Sequence, residues 1–236
     1  TVSAMSYGAC SKPAVRALSM GAAKAGIWLN TGEGGLSPFH LEGGADIVFQ
    51  IGTAKYGVRD AEGRFDADKF REVMANATVR MCEIKLAQGA KPGKGGILPG
   101  AKVSRQVSEI RGIPMGEDSI SPNRHPEISN DDELLDFIAL LRETGGKPVG
   151  IKIVVGNPGA FEALLRRVTA RGVDAAPDFV TVDSGDGGTG AAPLSLIDNM
   201  GLTIEQSLPS VVDLLEKHGL RERVKVVASG KLINPV

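Results

Sequence analysis

The sequence has 236 residues, 42% hydrophobic and 23% charged, with a formal net charge of −1. That balance suits one large globular domain or two small ones, and near-neutrality with scattered basic residues argues against a general nucleic-acid binder and against a basic membrane-surface patch. No apolar run approaches the roughly 20 residues of a membrane span, and the two cysteines, Cys10 and Cys82, lie far apart with no metal-binding spacing, which reads as free thiols in a reduced, cytoplasmic protein.

Taken in chain order, TVSAMSYG (1–8) is a weak strand candidate. Ser11 caps a helix with Pro13 in its first turn and Gly26 after its end. AGIWLN (25–30) and ADIVFQIG (45–52) read as buried strands. Asp66 precedes a periodic stretch that runs to Met81, and CEIKLAQ (82–88) is the next strand. A long Gly/Pro-rich insertion covers 89–130, and loops of that length are uncommon unless functional. Residues 131–144 place Leu134, Leu135, Ile138 and Leu141 on one helical face, with Gly145-Gly146 as the stop. The strand PVGIKIVV (148–155), the helix AFEALLRRVTARG (160–172), the strand DFVTVDSG (178–185), the helix LPSVVDLLEKHG (208–219) and the strand RVKVVASG (223–230) follow.

Seven strand candidates alternating with helices predict parallel strands joined by crossovers. A doubly wound open sheet and a (β/α)8 barrel both fit. Glycine-rich or polar motifs follow nearly every strand, and in a barrel such loops share one mouth, so their even spread favours the barrel. An eighth strand is expected beyond the chain. Thr1 falls inside a strand pattern and the sequence stops at Pro235-Val236, so it reads as part of a longer polypeptide.

Several residues stand where chemistry is possible. DSGDGGTGAAP (183–193) follows a strand and offers unobstructed backbone N–H groups, suited to a phosphate or a flavin edge as well as to a tight turn. Glu33 sits between glycines in NTGEGG (30–35), as a mouth carboxylate or a solvated turn residue. Lys85 and Gln88 end a strand, with Lys91 and Lys94 in the loop beyond. Lys152, inside an apolar strand, must face an anion or an ion-pair partner or bear a desolvation penalty. Gln50 ends an apolar strand and reads equally as a core amide or a ligand contact, and a lone loop His125 reads as structural. No Ser/His/Asp order, HExxH, CxxC, Walker or dinucleotide GxGxxG motif is present, and no metal ligand set is expected.

The motifs SAMSYGA (3–9), NTGEGG (30–35), EIKLAQGAKPGKGG (83–96), LPGAKV (98–103), ISP..H (120–125) and DGGTGA (186–191) occur in that order. Together they resemble the FMN-binding synthase domain of glutamate synthase and its stand-alone relatives. The resemblance covers the whole chain and implies a single α/β domain over 1–236, an FMN-binding (β/α)8 TIM barrel that is incomplete here, with the insertion 89–130 at its mouth. It implies reduction of a 2-imino acid, formed from 2-oxoglutarate or a related 2-oxo acid and ammonia. Electrons would come from a ferredoxin or NAD(P)H system, ammonia from a separate amidotransferase, and any iron–sulfur cluster from sequence outside this chain.

Carried over residue by residue, the resemblance sets Ser3, Met5 and Ser6 along the flavin ring and Gln50 at its pyrimidine edge. Lys85 would face flavin or substrate, and Lys152 would stabilise charge on the reduced ring. Ser184, Gly185, Gly187, Gly188, Thr189 and Gly190 would border the flavin, with Ser229 and Gly230 at its phosphate. Glu33, Lys91, Arg111, Gln88 and Asn130 would form the substrate site, with Lys152, Glu33 and Lys91 as the catalytic set. Arg111 suits a bidentate grip on a carboxylate. Two departures stand out: Ile97 replaces a polar residue of the family's GGQLPG or GGELPG, and Asn130 replaces a serine. They point to a less polar imine or oxo acid as one alternative. A catalytically silent barrel fragment is another.

Overall fold

In the computed structural model, which describes residues 1–186 and 192–232, the first helix begins and ends on its cap residues. Ser11 Oγ accepts the Ala14 N–H, Pro13 occupies the first turn of α1 (Lys12–Ala25), and Gly26 closes it in the left-handed conformation. The chain divides into two compact units. One comprises Thr1–Ile84, Gly95–His125 and Leu141–Pro148; the other comprises Lys85–Lys94, Pro126–Leu140 and Val149 onward.

The first unit carries three parallel strands, β1 (Leu29–Asn30), β2 (Ile47–Ile51) and β3 (Val79–Lys85). Register sets Asn30 beside Val48 and Gln50 beside Glu83. Leu29, Ile47, Phe49, Ile51 and Ile84 are fully buried, as continuous apolar strands require. Residues 1–8 contribute two isolated bridges, Val2 to Leu29 and Tyr7 to Cys10, in place of a strand. A four-residue helix, α2 (Pro38–Leu41), sits between β1 and β2.

The helix after β2, α3 (Ala67–Ala75), is capped by Asp66, whose side chain accepts two backbone N–H bonds. It stops short of the expected Met81. Asn76 turns the chain with extended backbone, its side chain accepts the Thr78 N–H at 3.0 Å, and the β-branched Thr78 and Val79 lead into β3 instead. Lys147 Nζ closes this turn by donating to the carbonyls of Met74, Asn76 and Val79.

Within the long insertion, residues 95–125 have structure of their own. An antiparallel pair, β4 (Ile97–Leu98) with β5 (Ser119–Ile120), is bridged by a 3-10 turn and by α4 (Arg105–Arg111). Leu98, Val103 and Val107 form its buried core, with Tyr7 and Ile113 against it.

The second unit contains the opening turns of α5 (Asp131–Gly145), with three acidic residues in the first. It has a second parallel set, β6 (Val149–Ile153), β7 (Phe179–Asp183) and β8 (Lys225–Ser229), with Lys152 beside Thr181 and Asp183 beside Ser229. Helix α6 (Pro158–Arg171), capped by Asn157, follows β6, and α7 (Ile204–Lys217), opened by a Thr203–Gln206 capping box, precedes β8. The class is α/β as expected, with six strands of an incomplete (β/α)8 barrel among the described residues. No described helix is long and apolar enough to cross a membrane.

Candidate functional site

Polar side chains gather where the parallel strands end. In the first unit Asn30, Gln50 and Glu83 close β1, β2 and β3 or stand near their ends, and all three are buried. Glu83 Oε1 accepts Asn30 Nδ2 at 2.8 Å and Gln50 Nε2 at 2.6 Å. Asn30 Oδ1 in turn accepts the Gly32 N–H at 2.9 Å. Burying three polar groups is tolerable because each is engaged by another.

The loop after β1 holds Glu33 half-buried. Its neighbour Gly32, at φ 65, lets the backbone of Ser6 pass at a distance no side chain would permit: a Cβ there would lie 2.7 Å from the Ser6 nitrogen. The segment 3–8 is thereby pinned. Met5 N–H donates to Asn30 O at 3.2 Å, and Met5 O lies 2.8 Å from His40 Nε2. His40 is buried, with Nδ1 facing the Ser37 N–H and hydroxyl, and burial pushes its pKa below the ordinary imidazole value against the opposing pull of the Met5 carbonyl. Ser3 lies exposed in this segment, Met5 and Ser6 half-buried.

Arg111 ends α4 and is 4% exposed. It donates to Ser119 Oγ at 3.2 Å and to Tyr7 O at 3.3 Å, and its guanidinium lies 4.9 Å from the Tyr56 ring centroid. Tyr56 is itself fixed, its hydroxyl 2.7 Å from Ser119 Oγ. Among the described residues Arg111 Nε has no hydrogen-bond partner. Burial lowers the Arg111 pKa, while Tyr56 and Glu33 act in the opposite direction. The structure thus brings Ser6, the Glu33 loop and Arg111 together: a Cβ on Gly34 would lie 3.1 Å from both Arg111 and Ser6.

In the second unit Lys152 has the partner its burial demands. Nζ lies 3.3 Å from Asp183 Oδ2, with the two side chains 6% and 10% exposed. The same oxygen accepts the Gly89 N–H at 2.8 Å. Lys85 Nζ donates to Gln88 Oε1 at 3.0 Å, and Lys91 is buried in the loop that follows. Ser184 N–H donates to Ser229 O at 2.9 Å, Ser184 Oγ accepts the Ile204 N–H at 3.0 Å, and Gly185 N–H donates to Leu202 O at 2.8 Å. Gly230 follows β8 at φ 86. Asn130 is exposed and acts as a helix cap, its Oδ1 accepting the Glu133 N–H at 3.0 Å. Gly187, Gly188, Thr189 and Gly190 lie outside the described residues. Both cysteines are free thiols, and no cluster of metal-ligating side chains occurs among the described residues.

Asn30, Glu83, Asp183, Tyr56 and Ser119 are the site residues that sequence reasoning missed. Glu83 and Asp183 carried the same signal as Lys152, a charge inside an apolar strand.

Fold and site together define an α/β protein in which each unit buries polar side chains at its strand ends. The whole chain, residues 1–236, matches the family model described as the conserved region in glutamate synthase. The chain belongs to the glutamate synthase family. It is 49% identical over 234 residues to the Bacillus subtilis (strain 168) glutamate synthase large subunit-like protein YerD, covering 99% of this chain and 44% of that protein. It is 38% identical over 232 residues to the archaeal-type glutamate synthase (NADPH) of Dehalococcoides mccartyi, covering 98% and 43%. The chain therefore spans less than half the length of these curated relatives. A solved mutant flavocytochrome b2 with benzoylformate shares the fold at a TM-score of 0.56 and 13% identity, over 98% of this chain and 51% of that one.

Proposed function

We propose that this chain is the FMN-dependent synthase part of a glutamate synthase-type oxidoreductase. It reduces the 2-imino acid formed from 2-oxoglutarate, or a related 2-oxo acid, and ammonia to the amino acid. The observation that carries this reading is Arg111: a buried guanidinium beside the Glu33 loop, its Nε without a partner among the described residues, is suited to grip a carboxylate.

The residues present fit FMN in kind. Gln50 Nε2 is taken up by Glu83, which leaves Oε1 of this buried side chain as the acceptor for a ring N–H. Lys152 supplies a buried cation for the electron-rich end of the ring, and the Ser229–Gly230 turn a site for the phosphate. The family resemblance assigns Ser3, Met5, Ser6, Lys85, Ser184 and Gly185, together with Gly187, Gly188, Thr189 and Gly190, to the same cofactor. When bound, FMN supplies two-electron chemistry between an outside donor and a carbon–nitrogen double bond.

The chain's own side chains bind and orient the substrate. Arg111 and Lys91 are assigned its carboxylates, and Gln88 and Asn130 its further polar contacts. Glu33 is the carboxylate assigned to hydrogen-bond the imine nitrogen. A ferredoxin or NAD(P)H system, an amidotransferase and any iron–sulfur centre are assigned to other sequence or other chains. The reading is tested by loading the protein with FMN, reducing it, and following reoxidation in stopped flow. Reoxidation by 2-oxoglutarate with ammonium is expected; failure with every 2-oxo acid and amine tried overturns the proposal.

A further inference from the structure

An amide side chain has two chemically opposite ends, and the surrounding hydrogen bonds decide which end faces a ligand. Here that decision passes through one carboxyl oxygen. Asn30 is fixed first: its Oδ1 accepts the Gly32 N–H, so the end that reaches Glu83 is Nδ2. The Glu83 Oε1 that accepts from Asn30 is an acceptor toward Gln50 as well, at 2.6 Å. Gln50 is then left one orientation, with Nε2 toward β3 and Oε1 turned away from it. The parallel register holds Gln50 directly beside Glu83. The Gln50 backbone is anchored separately, its N–H donating to Thr31 Oγ1 at 3.0 Å. Gln50 is 1% exposed and Glu83 2%, so little water reaches either group to substitute for a lost bond.

We infer that Glu83 is a positioning residue that sets the Gln50 amide with its oxygen presented to the ligand, so that this position selects a ligand bearing an N–H donor. The identity of that ligand rests on the FMN reading above: the pyrimidine end of the flavin ring carries such an N–H at N3. A leucine at position 83 undoes the arrangement. It keeps the bulk but offers no acceptor, so nothing holds Gln50 Nε2 toward β3 and the amide loses its set orientation.

Two measurements on the whole protein separate the inference from the FMN reading. The first is NMR of isotope-labelled glutamine side chains without added cofactor, with Gln50 assigned by its loss in Gln50→Leu. In the wild type the Gln50 amide is expected to be shifted downfield and protected from exchange, and Glu83→Leu to abolish both. Glu83→Asp, which keeps the acid but withdraws it, is expected to fall between. An unshifted, freely exchanging Gln50 amide in the wild type overturns the inference, whether or not any variant folds.

The second is a fluorescence titration with FMN and with N3-methylated FMN. The wild type is expected to prefer FMN by about tenfold, the value of one buried hydrogen bond, and Glu83→Leu to discriminate by less than about threefold. Equal discrimination in the two proteins overturns the inference and leaves the FMN reading intact. A wild type with the protected amide that binds no FMN overturns the FMN reading and leaves the orienting role of Glu83 standing.

Discussion

The Glu33 carboxylate occupies the volume that a side chain on Gly96 would need: a Cβ there would stand 2.3 Å from Oε1. Gly52 closes the other flank, where a Cβ would lie 2.5 Å from Glu33 Cβ and 2.7 Å from Oε2. The two glycines differ in what they meet. Gly96 faces the tip of a rotatable side chain, whereas Gly52 faces its root.

The difference predicts opposite outcomes for two alanine variants. Gly96→Ala swings the Glu33 tip aside and changes stability by less than about 1 kcal/mol, while turnover of the proposed reaction falls. Gly52→Ala forces the loop after β1 to move and costs about 1–3 kcal/mol. Urea denaturation of both variants checks this. Equal stability losses would contradict the geometry.

The pair of Lys152 and Asp183 makes a second prediction. Removing one member leaves the other buried and uncompensated, so Lys152→Met is expected to cost about 3–5 kcal/mol. In Lys152→Met/Asp183→Asn no charge is stranded, and an asparagine oxygen can still accept the Gly89 N–H. The double variant is therefore expected to be more stable than Lys152→Met alone, with a coupling of at least about 1 kcal/mol in a double-mutant cycle. Additive losses would show that the two groups do not act as a pair.

The fold was legible wherever a signal is local. Ser11, Pro13 and Gly26 mark both ends of α1, and the apolar runs around Phe49, Ile151 and Val180 mark their strands. The end of α3 was not legible, because Val79 and Met81 continue its apolar spacing and only the Asn76 turn breaks it. The β4–β5 pair joins two-residue strands across the length of α4, too short and too distant for alternation to reveal. The same limit applies to the site. Lys152 announced itself as a charge in an apolar run, but its pairing with Asp183, and that of Gln50 with Glu83, is fixed by tertiary packing and register, which no single segment encodes.

His40 links stability to pH. Its unfolded value is near 6.5, and in the folded chain burial holds it lower. Between those two values the unfolded chain binds a proton that the folded chain refuses, so stability falls as pH drops through the window below about 6.5. His40→Gln can still donate to Met5 O and does not titrate there. Denaturation midpoints measured at about pH 7.5 and about pH 5 are expected to fall further in the wild type than in this variant. Parallel falls would remove His40 from the account.

Ile97 looked from the sequence like an apolar replacement at a substrate position, but the β4–β5 pair turns it the other way. Ile97 stands opposite Ile120, and the two are 47% and 65% exposed. The alternate face carries Leu98, Ser119 and Ser121, each buried, and Gly96 shares that face against Glu33. Ser119 on this face is the one that engages both Arg111 and Tyr56. Ile97→Gln is therefore expected to leave 2-oxoglutarate affinity within about twofold of the wild type, since an outward polar group touches nothing in the site. Ser119→Ala removes the acceptor of Arg111 and the partner of the Tyr56 hydroxyl, and is expected to weaken the same affinity by about three- to tenfold. Titrating 2-oxoglutarate into the FMN-loaded variants decides the matter. A larger effect from Ile97→Gln than from Ser119→Ala would mean that the outer face of the pair, not the inner one, meets the substrate.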